Sequence, residues 1–151
     1  MITAGVDEVG RGCLAGPVVS AAVILKKKIN LDLLEDSKKI SFKKRIEIAK
    51  HIKLNSIYAI GTASVEEILN INILQAALLS MKRAIDQLSI KPKLILIDGN
   101  FAPKGLKNFK TIIMSKKKFT PMKVYTDTHA YKHAQSQAET KIKILNNAMV
   151  W

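Results

Sequence analysis

The sequence predicts an α/β domain in which helices flank a central mixed β-sheet. Short runs rich in Val, Ile and Ala are typical of strands, and longer segments with apolar residues at helical spacing are typical of amphipathic helices. These segments follow the order β-β-α-β-α-α-β-β, which favours an α/β domain. The 151 residues, 48% hydrophobic and 25% charged, suffice for one buried core and exclude a collagen-like or wholly disordered chain.

Five segments are predicted to be strands. Residues 2–6 and 18–25 are apolar runs separated by glycines, which indicates a hairpin-like start of the domain. Residues 94–97 are continuously apolar, as expected for a strand that is covered on both faces. The remaining two strands are predicted at residues 56–63 and 110–114.

Three segments are predicted to be helices. Residues 42–54 follow Ser41, whose hydroxyl suits an N-cap, and Ser64 with Glu67 forms the pattern of a capping box for a short second helix. The third helix is predicted at residues 73–88. The apolar stripe predicted for the first helix consists of Phe42, Ile46, Ala49 and Ile52. The buried face predicted for the third helix consists of Ile73, Ala77, Leu78, Met81, Ala84, Ile85 and Leu88.

The charge of the chain points to an anionic partner. The formal net charge is +13 and the pI about 9.9, which favours a polyanion, nucleic acid first and an anionic membrane second. A single cysteine, Cys13, excludes an internal disulfide and favours the cytoplasm. Asp7 and Glu8 interrupt the apolar stretch that a secretory leader needs, and no apolar run is long enough to span a bilayer. We therefore expect a cytoplasmic protein without a membrane segment.

Three carboxylates follow predicted strands. Asp7 and Glu8 lie between residues 2–6 and the glycine-rich turn 10–12, and Asp98 ends the apolar run. Strand alternation directs neighbouring side chains to opposite faces, so Asp7 and Glu8 can share a site only if the backbone turns there. Solvated acids and an Asp-Gly turn are the alternative interpretation. Carboxylates gathered in a basic protein favour a divalent cation, Mg²⁺ or Mn²⁺, and metal-assisted phosphodiester cleavage.

Four motifs resemble, in order and approximate spacing, those of type 2 ribonuclease H (ribonuclease HII). They are VDEVGRGCLAGPVVSAAV at residues 6–23, DSKKIS at 36–41, NIL at 72–74 and LIDGN at 96–100. The resemblance implies an RNase H-like fold and a Mn²⁺- or Mg²⁺-dependent endonuclease that leaves 5′-phosphomonoesters. Its implied substrates are the RNA strand of RNA:DNA hybrids and single ribonucleotides embedded in duplex DNA.

The same resemblance assigns the site residues. The implied catalytic and metal-binding residues are Asp7, Glu8 and Asp98. The implied substrate-binding residues are Gly10, Arg11 and Gly12, which would sense the ribose 2′-OH through backbone groups, and Ser37 and Lys38, which would contact phosphate. For Ser37 and Lys38, solvated surface residues are the alternative.

The last third of the chain departs from the family pattern. Lys116 stands about where the family has a fourth acid, and the following Ala/Ser-rich helix has no counterpart. We therefore expect a catalytic core over residues 1–113 and a divergent basic tail over residues 114–151. The predicted function is a monomeric ribonuclease acting on RNA:DNA hybrids or ribonucleotide-containing duplex DNA. The alternative is a catalytically impaired, nucleic-acid-binding remnant of the family.

Overall fold

The computed structural model describes residues 1–12, 16–26 and 41–112. In chain order the elements are β1 (Thr3–Val9), β2 (Val18–Leu25), α1 (Phe42–Asn55), β3 (Ser56–Ala63), α2 (Val65–Asp86), β4 (Leu94–Asp98) and β5 (Phe109–Ile112). Every predicted strand is present: β2 and β3 have the predicted ends, and the ends of the other three differ by one to three residues. No helix in the described ranges is both long and apolar enough to cross a membrane.

The five strands form one mixed sheet in the order β3-β2-β1-β4-β5. β1 pairs antiparallel with β2, and β2 pairs antiparallel with β3. On its other side β1 pairs parallel with β4, which pairs parallel with β5. The predicted α/β class with a central mixed sheet is confirmed, and β1 lies at the centre of the sheet.

The predicted second and third helices follow each other directly as one element, α2, which is kinked at Asn72. The backbone of Asn72 has φ 67° and ψ 164°, which is not helical. Its side-chain oxygen accepts a hydrogen bond from the Gln75 N–H at 3.0 Å, so Asn72 caps the second part of α2. The two helical segments predicted from the sequence are therefore real, and the structure joins them without a loop.

The beginning of α2 is held by the predicted capping box. The Glu67 N–H donates to the Ser64 hydroxyl at 3.1 Å, and the Ser64 N–H donates to the Glu67 carboxylate at 2.9 Å. The Arg83 guanidinium donates to both oxygens of Glu67, at 2.6 and 2.8 Å, and to the Thr62 carbonyl at 2.6 Å. The hydrogen bonds from Arg83 hold the pKa of Glu67 at about 2.

The main core lies between α2 and one face of the sheet. Its members include Ala4, Val6, Ala22, Ile95 and Ile97 from the sheet and Met81, Ala84 and Ile85 from α2. A Cβ added at Gly61 would overlap the Ser80 carbonyl and the Ala84 backbone nitrogen, so only glycine allows α2 to lie this close to β3.

The structure differs from the predicted helix faces in two details. The predicted face of α2 is buried apart from Ile73 and Leu78, which are half-buried, but Ser80 is fully buried as well. The hydroxyls of Ser80 and Ser20 are 2.6 Å apart, and Ser80 donates to the Ala77 carbonyl at 2.8 Å. The prediction that Phe42 is buried in α1 was wrong, because this first helical residue is 56% exposed and packs beneath the Arg45 guanidinium.

Candidate active site

The parallel pairing of β1 with β4 brings Asp7 next to Asp98. The register pairs Val6 with Ile97, so Asp7 and Asp98 follow at the same level and project from the same face of the sheet. Asp7 is only 6% exposed, whereas Asp98, the last residue of β4, is half-buried. Two acids that are far apart in the chain therefore form a close pair at one edge of the sheet.

Burial makes ionisation of Asp7 costly. Removal from water is the main effect that raises the pKa of Asp7 from 3.8 to about 8. The charges of Asp98 and Glu8 raise the pKa further, while a hydrogen bond from the Glu8 N–H to Asp7 Oδ1, at 2.7 Å, lowers it in part. The charge of a divalent ion bound at these carboxyls would favour the ionised form of Asp7.

The Glu8 side chain lies beside Asp7, because its charge and a side-chain hydrogen bond both raise the pKa of Asp7. β1 continues through Val9, so this contact forms without a turn of the backbone between the two residues. The Glu8 carboxylate also accepts a hydrogen bond from Arg11 Nη1 at 3.0 Å. Glu8 and Asp98 nevertheless line one cleft, whose wall includes Arg11, Leu78, Met81 and Phe101. The structure thus brings Asp7 close to both Asp98 and Glu8, and it places Glu8 and Asp98 in one cleft.

The three acids are neighbours, but among the described residues they are not arranged as a metal-ligand group. Within residues 1–12, 16–26 and 41–112, no group of three or more His, Cys, Asp or Glu side chains is arranged to hold a metal ion. Asp7 and Asp98 provide the oxygen donors that Mg²⁺ and Mn²⁺ prefer. These two acids fit a divalent cation, and Glu8 would have to leave Arg11 to join them.

The glycine turn follows β1 directly. Gly10 has φ +99°, and a Cβ at this position would lie 2.8 Å from the Pro17 carbonyl oxygen, so the turn requires glycine here. A Cβ added at Gly12 would meet nothing within 4 Å among the described residues beyond its chain neighbours, and both Gly12 and Arg11 are exposed. The predicted phosphate contacts Ser37 and Lys38, and Lys116 at the expected position of the fourth acid, lie outside the described residues.

The cleft also contains residues that were not predicted to belong to the site, although Asn100 lies within the motif LIDGN. Phe101 and Asn100 follow the end of β4 and contribute to its lining, as do Leu78 and Met81 of α2. The helical spacing had indicated Leu78 and Met81 only as core residues, and no sequence signal marked Phe101. Sequence spacing shows which face of a helix is apolar, but it does not show which part of that face borders a cleft.

Comparison with known proteins identifies the family. The family model described as Ribonuclease HII matches residues 4–138, beyond the predicted core boundary at residue 113. Ribonuclease HII of Pelagibacter ubique (strain HTCC1062) is 62% identical over 109 residues, which are 72% of this chain and 58% of that protein. The chain spans little more than half the length of the curated relatives it matches.

Solved structures show the same fold. The crystal structure of ribonuclease H2 from Pyrococcus horikoshii OT3 matches with a TM-score of 0.64 and 25% identity, covering 99% of this chain and 69% of that chain. The structure of Bst-RNase HIII in complex with Mn²⁺ matches with a TM-score of 0.61 and 15% identity, covering 99% of this chain and 52% of that chain. The family match, the sequence identity and the fold agree: the chain belongs to the ribonuclease HII family.

Proposed function

We propose that this chain carries the metal centre of a ribonuclease H. Its reaction is metal-assisted hydrolysis of the RNA strand of RNA:DNA hybrids, or of single ribonucleotides in duplex DNA, leaving 5′-phosphomonoesters. The observation that carries the proposal is the close pair of Asp7 and Asp98 at the ends of two parallel strands, beside a glycine turn. Membership of the ribonuclease HII family supports the substrate class.

The metal proposed for this centre is Mn²⁺ or Mg²⁺. Asp7 and Asp98 would hold it, and Glu8 would complete the carboxylate set. When bound, such an ion activates water for attack on phosphorus and neutralises charge on the phosphate oxygens. The Mn²⁺ complex of Bst-RNase HIII, which has the same fold, supports a divalent ion in this role.

The residues around the pair would position the substrate. The absence of side chains at Gly10 and Gly12 allows the backbone of the turn to approach a ribose 2′-OH, the group that distinguishes RNA from DNA. Arg11 is exposed at the rim of the cleft, where a guanidinium can reach phosphate oxygens. We retain Ser37 and Lys38 as proposed phosphate contacts, and a cytoplasmic monomer as a prediction.

One observation favours the second candidate, a nucleic-acid-binding remnant without activity. In the described part of the chain, no three ligating side chains are arranged to hold a metal ion. Such a protein would bind hybrids through phosphate contacts, and the binding would weaken steeply as the salt concentration rises. It would cleave with neither metal.

A cleavage assay separates the two candidates. A labelled DNA duplex containing one ribonucleotide is incubated with the protein and Mg²⁺ or Mn²⁺. We expect cleavage at the ribonucleotide, and a loss of about 100-fold or more for Asp98→Asn because removal of a ligand costs at least as much as removal of a residue that orients one. Asp86→Asn is the matched control, since this acid is exposed and pairs with Lys82 on α2.

The outcomes exclude one another. Hybrid binding without cleavage in either metal would establish the impaired remnant. If Asp98→Asn cleaves at the same rate as the wild type, the proposed metal centre is wrong.

A further inference from the structure

The ion pair of Arg11 with Glu8 links the glycine turn to the acids. Arg11 Nη1 lies 3.0 Å from Glu8 Oε1, and the Glu8 side chain is 13% exposed whereas that of Arg11 is 48% exposed. The carboxylate is thus largely shielded from water, while the guanidinium remains at the surface. A shielded carboxylate depends on its cationic partner more than a solvated one does.

Arg11 pairs with the acid that lies beside Asp7. The Glu8 N–H already donates to Asp7 Oδ1, so the backbone of Glu8 is fixed beside the buried carboxyl. The Glu8 side chain is in hydrogen-bonding contact with Asp7, while its Oε1 pairs with Arg11. Since Glu8 and Asp98 also line the same cleft, a cation bound at the acids would meet a carboxylate that Arg11 already neutralises.

A guanidinium and a divalent cation cannot both satisfy the same carboxylate fully. Each neutralises its negative charge, and a metal ion also repels a guanidinium brought close to it. Binding of a cation to Glu8 therefore requires that the ion pair be weakened or broken. The stabilisation lost with the Arg11–Glu8 ion pair therefore makes metal binding less favourable by the same amount.

We propose that Arg11 is a positioning residue that competes with the divalent cation for Glu8, and that it is released from Glu8 when the metal binds. This inference rests on the proposed function, because it takes the acids to be metal ligands. Arg11 then lowers metal affinity in the absence of substrate. Once released, its guanidinium is available at the cleft rim for a phosphate, so that substrate binding and metal binding favour each other.

Mn²⁺ binding measures this competition without any cleavage. Free Mn²⁺ is followed by its electron paramagnetic resonance signal during titration of the full chain at low salt. Arg11→Met keeps the length of the side chain and removes its charge, and Glu8→Gln removes the group for which the two cations compete. Lys82→Met is the matched control, because Lys82 forms an ion pair with Asp86 at 2.7 Å on the exposed surface of α2.

The expected result is an affinity for Mn²⁺ that rises about 2- to 5-fold in Arg11→Met, the range expected for a partly exposed ion pair. In the Glu8→Gln background the same substitution should have no effect. Lys82→Met should leave the affinity unchanged. Circular dichroism and the thermal midpoint of each variant show that it is folded.

Three results would overturn the inference. An affinity for Mn²⁺ that is unchanged or weaker in Arg11→Met would show that Arg11 does not compete with the cation. An equal gain in the Glu8→Gln background, or in Lys82→Met, assigns the effect to overall charge rather than to Glu8. Binding that does not depend on Asp98, tested with Asp98→Asn, overturns the metal centre itself, whereas binding that depends on Asp98 and not on Arg11 overturns only the competition.

Discussion

The buried carboxyl of Asp7 should make the stability of the metal-free protein fall as the pH rises. The pKa of Asp7 is raised from 3.8 to about 8, chiefly by burial. Between these values the unfolded chain has lost the proton while the folded chain keeps it, so the folded state binds more protons. The free energy of unfolding therefore decreases through this window and becomes level above about pH 8, where both states are ionised.

The pH dependence of the free energy of unfolding is set by the one proton that Asp7 keeps in the folded state. One group that is protonated only in the folded state contributes a slope of up to about 1.4 kcal/mol per pH unit. Asp7→Asn keeps the shape of the side chain and removes the titration. The variant should therefore lose most of this slope, and it should be more stable than the wild type at about pH 8.

Urea denaturation with a metal chelator, at about pH 5, 6, 7 and 8, measures the slope directly. Asp86→Asn serves as the control, because Asp86 is exposed and its replacement should leave the slope of the wild type in place. If Asp7→Asn and the wild type show the same slope, the carboxyl of Asp7 is ionised in the folded protein. The electrostatic reasoning for the paired acids would then be wrong.

Three further predictions concern α2 and its contacts. Gly61→Ala should lower the free energy of unfolding by about 1–3 kcal/mol in urea denaturation, because its Cβ would overlap the backbone of α2. Ser80→Ala should cost about 1–3 kcal/mol in the same assay by leaving the buried Ser20 hydroxyl without its partner, and Ser20→Ala added to it should cost less than the sum of the two single changes. In an NMR titration the carboxyl of Glu67 should show a pKa near 2, rising towards its ordinary 4.5 in Arg83→Met; a value already near 4.5 in the wild type would contradict the ion pair.

Local signals in the sequence predicted most of the elements. The capping box of Ser64 and Glu67 and the apolar run before Asp98 depend on interactions within a few residues, which the sequence displays directly. The strand order was beyond such signals, because the pairing of β1 with β4 joins segments from opposite ends of the described chain. The buried position of Ser80 was missed for the same reason, since its partner Ser20 lies on a distant strand.

The proximity of Asp7 and Asp98 could be predicted from the sequence, whereas the contacts of Glu8 could not. Acids at strand ends indicated that Asp7 and Asp98 would be close, and the structure places them side by side. The orientation of Glu8 depends on whether β1 turns before or after it and on the ion pair with Arg11. Both are tertiary properties that a dipeptide motif does not encode, and Ser37 and Lys38 remain predictions.

The central place of β1 has a consequence for the order of folding. β1 and β2 are near neighbours in the chain, so their antiparallel pairing closes only a short loop. The pairing of β1 with β4 requires closure of a much longer loop and is therefore slower to form. The repulsion between Asp7 and Asp98 therefore arises only when β4 docks, late in folding. A cation held by this pair can stabilise only states in which β4 has docked, so it cannot assist the earlier pairing of β1 with β2.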